Sequence, residues 1–280
     1  MENINDGIQY LVTEWQLVDI RPFIRTSATN NYVAIVYSQR YKSDVALKVG
    51  SKNVIKLEQQ ALQIFQGSNC VKLINFDEEK NGLLLESIQP GMSLKDLFLG
   101  GQEEKAIRIF ADVVKKLHEG ENRFELNKFK TVAQRLDLLH RFQSNKIPNR
   151  LLDKSRKISD RLVQTQGQMY LLHGDLHHEN ILQRGDEWVI IDPQAVVGEL
   201  EYEVGIFMCN PMFTLLQQQN FLQFIENRFD VVSELLNFDK QRLIDWSFVQ
   251  AVLAACYSEQ DGQEDALEYF ISMAEAFEII

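Results

Sequence analysis

Between residues 8 and 49 there is no glycine, and the whole chain of 280 residues holds only 5 prolines and 3 cysteines. The glycine gap excludes a G-x-G-x-x-G cradle, whose unhindered backbone would wrap phosphates, from the first part of the chain. Cys70, Cys209 and Cys256 are odd in number, widely spaced and free of any CxxC. They exclude a disulfide framework and a zinc knuckle, and read as buried thiols. Long apolar runs are missing too: none approaches the ~20 residues that span a bilayer. The opening MENINDGIQY has neither the basic nor the apolar region of a signal peptide. The expectation is a cytoplasmic protein with no membrane partner. Positive charge is also short: 29 Lys+Arg stand against 40 Asp+Glu, and a net charge of −11 excludes the basic footprint of a nucleic-acid binder.

What is present is the composition of a folded protein. Hydrophobic residues make up 45% and charged residues 25%, which rules out a disordered or low-complexity chain. The length suits two domains or lobes. The acid is unevenly spread: residues 1–90 carry 9 Lys+Arg and 10 Asp+Glu, residues 91–170 carry 16 and 10, and residues 171–280 carry 4 and 20. One reading is a solvated acidic face that aids solubility. The other is an anionic surface that attracts a cationic partner.

Short alternating or apolar runs dominate the first 90 residues: NYVAIVYSQ, DVALKV, CVKLINF and GLLLESI, separated by polar turn clusters. They predict strands, antiparallel in arrangement. Between them VIKLEQQALQIFQ predicts a helix with Val54, Leu57, Ala61, Leu62 and Phe65 on one face and Gly67 at its C-cap. The order is β-β-β-α-β-β. After Pro90-Gly91 the period becomes helical, with helices predicted at 102–119, 132–145 and 149–166, the second capped by Thr131. YLLHGD, ILQRGD and EWVIIDP then form a short β-rich interruption, and helices resume from about residue 199. The fold class is α+β: a small antiparallel-sheet lobe over 1–87, a linker near 86–92, and a larger helical lobe over 88–280 with a β-loop-β insert.

The most polar cluster bracketed by apolar residues is LLHGDLHHENIL, followed twelve residues after Asn180 by Asp192 at the end of the apolar run WVIIDP. An Asp ending a buried strand costs desolvation unless it binds a cation or is hydrogen-bonded. Singly, Asp175 suits a turn, Asn180 a cap, and Asp192 a strand end before Pro193. Together, His173-x-Asp175-x-x-x-x-Asn180 and then Asp192 match a phosphotransferase loop, in which one Asp takes the proton of an attacking hydroxyl while an Asn and a second Asp hold Mg2+. A rival reading takes His173, Asp175, His177 and His178 as metal ligands. The adjacency of His177 and His178 counts against it, because their side chains diverge in any regular structure.

HGDLHHENIL followed by IDPQAVVGELEYE closely resembles the aminoglycoside phosphotransferase superfamily, which shares the protein-kinase-like fold, and within it the streptomycin 6-kinase (aminoglycoside/hydroxyurea resistance kinase) branch. DVALKV, KLEQQALQIFQG and VKLINFDEEKNGLLLESIQPGMSL extend the likeness over most of the chain. The resemblance implies a bilobal kinase-like fold and ATP, or another nucleoside triphosphate, with Mg2+ as cofactors. It implies Lys48 on the nucleotide phosphates, Glu58 orienting it, Asp175 as catalytic base, and Asn180 and Asp192 as metal ligands. His173 then braces the loop, Glu203 ties it down, and backbone groups around Glu86 to Ile88 receive the adenine. In place of the missing glycines stands TSATNN, where hydroxyls of Thr26, Ser27 or Thr29 would serve the phosphates.

Aminoglycosides are polycations, so the acidic last third suits them, with Glu199, Glu201, Asp245 and the acids between Glu259 and Glu268 as candidate substrate residues. Trp246 and Tyr257 sit in helical patterns and read as core. The first hypothesis is therefore transfer of a γ-phosphoryl group to a hydroxyl of a cationic aminoglycoside such as streptomycin. The second keeps the reaction with another hydroxylated metabolite, an amino alcohol or a sugar. The third is a nucleotide-binding regulator without turnover, suggested by the missing glycines and opposed by the complete set Lys48, Asp175, Asn180 and Asp192.

Overall fold

The computed structural model describes residues 4–22, 31–66, 69–118 and 126–280. In chain order the first elements are α1 (Ile4–Glu14), β1 (Leu17–Pro22), β2 (Tyr32–Ser38), β3 (Ser43–Val49), α2 (Lys52–Ile64), β4 (Leu73–Asp77), β5 (Gly82–Glu86) and β6 (Pro90–Ser93). Then follow α3 (Leu94–Leu99), α4 (Glu103–Leu117), α5 (Val132–Arg141), α6 (Asn149–Gln164), β7 (Tyr170–Leu172), β8 (Ile181–Arg184), β9 (Glu187–Ile190) and β10 (Val196–Gly198). Helices α7 (Glu201–Met208), α8 (Phe221–Leu236), α9 (Lys240–Gln260) and α10 (Glu264–Ile279) close the chain. Two compact units result: Met1–Met92 with Leu182–Gln194, and Ser93–Ile181 with Ala195–Ile280. None of the helices is long and apolar enough, among the described residues, to cross a membrane.

In the first unit an antiparallel sheet of order β1-β2-β3-β5-β4 follows the predicted alternation. One core cluster joins Leu11 of α1 and Trp15 to Ala34, Val36, Val45, Leu47, Val49 and Leu84. Each large aliphatic side chain so buried contributes about 1.5–3 kcal/mol. Because side chains alternate along a strand, Lys48 leaves the sheet on the face opposite Leu47 and Val49. A second, three-stranded sheet has the order β6-β8-β9. Cys70 pairs with Ile190 in an isolated parallel bridge, so β4 begins later than the run CVKLINF suggests.

The predicted face of α2 is met in its second half, where Ala61, Leu62 and Phe65 are buried, but not at its start. Val54 is exposed, and the buried residues are Ile55, Glu58, Gln59, Ala61 and Leu62, so two polar side chains lie inside where an apolar stripe alone was expected. Gly67 lies outside the described residues. Helices α1 and α3 were not expected at all. Glycine at Gly7 interrupts the period of the first, and the second is only 6 residues long. Its signature is nonetheless legible, since Ser93 and Asp96 form a capping box.

The second unit is mainly helical. Thr131 caps α5 as expected, with a reciprocal box to Gln134. Helix α9, 21 residues long, runs through the core with Leu243, Trp246, Phe248, Val249, Val252 and Cys256 buried, and packs against α5, α6, α7, α8 and α10. Trp246 is core, as read from the sequence; Tyr257 is not, because it falls on the one side of α9 that reaches solvent and is 43% exposed. All three cysteines are buried, and burial pushes each thiol up to about 12. Strands β7 and β10 pair antiparallel, and the polar loop HGDLHHEN runs from β7 to β8.

Candidate active site

In the first unit the burial of Glu58 has a chemical consequence. Glu58, 1% exposed, meets the buried Lys48, whose Nζ lies 2.6 Å from Glu58 Oε2 and 2.6 Å from Asp192 Oδ1. Desolvation opposes the ammonium charge, but Glu58 and Asp192 outweigh it and hold Lys48 above its ordinary range. One lysine thus faces two carboxylates. With all three ionised the cluster keeps a net negative charge, and Asp192 offers carboxylate oxygens, the donor type a hard divalent cation prefers. Asp192 sits in the left-handed region at φ 60. Such a residue stores about 1–3 kcal/mol of strain. The segment is pinned from its other side, where Val71 N–H donates to Ile190 O and Ile190 N–H to Asn69 O, both at 2.9 Å.

In the second unit the loop is held chiefly through its backbone. Gly174 N–H donates to both oxygens of Glu203 at 3.2 Å, Ala195 N–H to His173 O at 3.0 Å, and Arg135 Nη1 to Gly174 O at 2.6 Å. The buried His173 accepts through Nδ1 from Asp175 N–H at 3.2 Å. Asp175 O receives His177 N–H at 3.0 Å and Asn180 Nδ2 at 2.9 Å. Asn180 Nδ2 also approaches His177 Nε2 at 3.3 Å, which commits the amide nitrogen and leaves its oxygen as the atom suited to a cation. The Asp175 side chain remains 33% exposed, so its carboxylate is accessible while its main chain is fixed. Gly174 is required here: φ is +80, and a Cβ would lie 2.9 Å from Val196 Cγ1 and 3.3 Å from the Arg135 guanidinium.

Glu203 is wholly buried, and burial pushes its carboxyl up to about 7, against the opposing pull of the Gly174 and His173 N–H groups and of Arg135. His178 diverges from His177 into an aromatic stack, 4.2 Å from the Phe207 ring and nearly parallel to it. Among the described residues no three His, Cys, Asp or Glu side chains converge to hold a metal, which removes the histidine-rich site.

The predicted substrate acids fare differently from one another. Glu199 is buried and accepts Arg242 Nε at 2.7 Å, Trp246 Nε1 at 2.5 Å and Gly167 N–H at 3.2 Å. Asp245 is paired with Arg161 and accepts Gln241 Nε2 at 3.2 Å. Both charges are neutralised inside the fold. Glu259 accepts Ser144 Oγ and Glu264 pairs with Lys146. Glu201, in the first turn of α7, is half-buried, and burial raises its carboxyl. Glu86 spends its carboxylate on Arg184 Nη1 at 2.8 Å and Lys72 N–H at 2.9 Å; Ile88 lies past the end of β5. Thr26, Ser27 and Thr29 lie outside the described residues. Sequence reasoning missed Arg135, although its signal was present: it shares a stripe of α5 with the buried Val132, Leu136 and Leu139.

A strand lysine paired to a helix glutamate, and a braced loop offering Asp175, belong to a protein-kinase-like phosphotransferase fold. The structure is similar over 99% of its length to all of the choline kinase LicA from Streptococcus pneumoniae, with a TM-score of 0.70 at 13% identity; LicA has also been solved with AMP. In sequence, the streptomycin 3''-kinase of Klebsiella pneumoniae is 26% identical over 67% of this chain and 70% of its own. The streptomycin 6-kinase of Streptomyces griseus is 24% identical over 77% and 70%. Residues 33–262 match the aminoglycoside/hydroxyurea antibiotic resistance kinases, and the chain belongs to that family. It is a phosphotransferase acting on hydroxyl groups.

Proposed function

We propose that this kinase transfers the γ-phosphoryl group of ATP to a hydroxyl of a cationic aminoglycoside such as streptomycin. The observation that carries the reading is the ion triad: Lys48, Glu58 and Asp192, chosen from the sequence for separate roles in one reaction, lie within 2.6 Å of one nitrogen although Lys48 and Asp192 are 144 residues apart. Lys48 binds and orients the nucleotide phosphates, and Glu58 keeps its ammonium in place. Asp175 positions the acceptor hydroxyl and takes its proton as the oxygen attacks phosphorus. Asn180 and Asp192 supply oxygen ligands for Mg2+, which when bound neutralises charge on the transferring phosphoryl group. Cationic acceptors are favoured by the 20 acids against 4 bases of residues 171–280, with Glu201 the best placed of the predicted acids because Glu199 and Asp245 are spent on arginines.

That internal neutralisation, with the likeness to a choline kinase fold, favours a second reading in which a smaller amino alcohol is the acceptor. Acceptor-dependent ADP release, measured with streptomycin, a second aminoglycoside, hydroxyurea, choline and a neutral sugar, separates them. The first reading expects streptomycin to give the highest kcat/KM, with KM rising as salt screens the attraction over ~8 Å. Preference for choline would replace it with the second, and a salt-independent KM would count against any cationic acceptor.

A further inference from the structure

We infer that Arg135 is a positioning residue for phosphoryl transfer, acting on the reaction through the Gly174–Asp175 peptide without touching substrate. The inference rests on the reading of Asp175 as the base. Its physical ground is the way that one peptide plane is fixed. The carbonyl end, Gly174 O, accepts Arg135 Nη1 at 2.6 Å, a short charge-assisted bond. The amide end, Asp175 N–H, donates to His173 Nδ1 at 3.2 Å. A peptide held at both ends cannot rotate, so the direction in which Asp175 projects its carboxylate is set before any acceptor arrives. Nothing else among the hydrogen bonds of the described residues serves Gly174 O.

The guanidinium is itself held. Arg135 rises from the buried stripe of α5; desolvation works against its charge, and Tyr202, Asp175 and Tyr257 together more than offset it. Gly174 presses against the same group, since a Cβ there would lie 3.3 Å from Nη1 and Nη2. Glutamate and arginine thus grip successive peptides from opposite sides, Glu203 taking Gly174 N–H and Arg135 taking Gly174 O. The two charges differ in what they control. Glu203 fixes where the loop enters the turn, whereas Arg135 fixes the plane from which the base projects. Lysine could not substitute fully, because one ammonium lacks the planar guanidinium whose N–H groups meet Gly174 O with fixed direction.

The test compares full-length parent, R135A, R135K and D175N, with streptomycin as acceptor. In R135A kcat should fall about tenfold to a hundredfold, the range for a misplaced catalytic group, while streptomycin KM and the Mg-ATP dissociation constant stay within about threefold. Millimolar guanidinium chloride should restore part of that kcat in R135A and none in D175N. Amide hydrogen exchange over residues 171–177 should speed up in R135A and stay parental in D175N. A parental kcat in R135A, a loss carried by KM alone, or unchanged exchange would overturn the inference. If R135A does not fold, R135K must show the same kcat loss at smaller size, and a parental kcat there overturns it equally. Parental turnover in D175N would instead sink the reading of Asp175, and the exchange data would still decide whether Arg135 clamps the loop.

Discussion

The two groups of candidate site residues, one in each unit, are built on opposite plans. Around Lys48 the functional groups are side chains that hold one another, and their charges meet directly at 2.6 Å. Around Asp175 the functional carboxylate is left 33% exposed, and the holding is done on the main chain by Glu203, Arg135, Ala195 and His173. The first plan couples stability to charge, because removing any one member leaves the others uncompensated in a buried place. The second separates them: the reactive side chain can change while its support survives. A group proposed to hold the nucleotide phosphates by charge tolerates the first arrangement. The proposed base, which would exchange protons with a passing hydroxyl, is suited by the second.

The sharpest way to break this contrast is Asp175→Asn. The side chains are nearly isosteric, so the fold and the Mg-ATP dissociation constant should persist while kcat falls about 10²- to 10⁴-fold. A matching loss of thermal stability would place Asp175 on the same footing as Lys48. Lys48→Met should do the reverse and destabilise the protein by about 3–5 kcal/mol in denaturant titration, since Glu58 and Asp192 would face each other without their cation. Unchanged stability would mean that the triad is not a structural unit. The smallest effect concerns Glu203. Its carboxyl at about 7 lies above its ordinary 4.5, so the folded chain holds a proton that the unfolded chain releases between these values. Its contribution is complete below about pH 4.5 and is lost as pH rises through 7, on the order of 3 kcal/mol in all. Glu203→Gln should flatten the parent's decline in melting temperature between pH 5 and 8; an equal slope in both proteins would remove Glu203 from the linkage.

How much of this was legible depended on the distance over which the deciding partner acts. Alternation along β2, β3 and β5 was visible because strand burial is local. The start of α2's buried face was not, because what buries Glu58 is a lysine on a neighbouring strand, and an apolar count prefers Val54 to a glutamate. Spacing singled out Asp175, Asn180 and Asp192; the fold fixes the loop of the first two through its backbone and brings Asp192 onto Lys48. Glu199 and Asp245 show where spacing fails: both are acids in an acidic region, and only the fold reveals Arg242 and Arg161, 43 and 84 residues away, beside them. Net charge tells how many acids a region carries; it cannot tell which of them are already spoken for.

The return of Leu182–Gln194 to the first unit carries a consequence for biosynthesis. Strands β8 and β9 and Asp192 belong to a unit whose other members end at Met92. On a ribosome that unit waits for its last pieces while roughly a hundred further residues are made, about 5–20 s at ordinary elongation rates. During that interval Lys48 and Glu58 exist without Asp192, and Val71 without its partner Ile190. A fragment cut at residue 92 would lack β8, β9 and Asp192, so the first unit is not a continuous segment that can be cloned on its own.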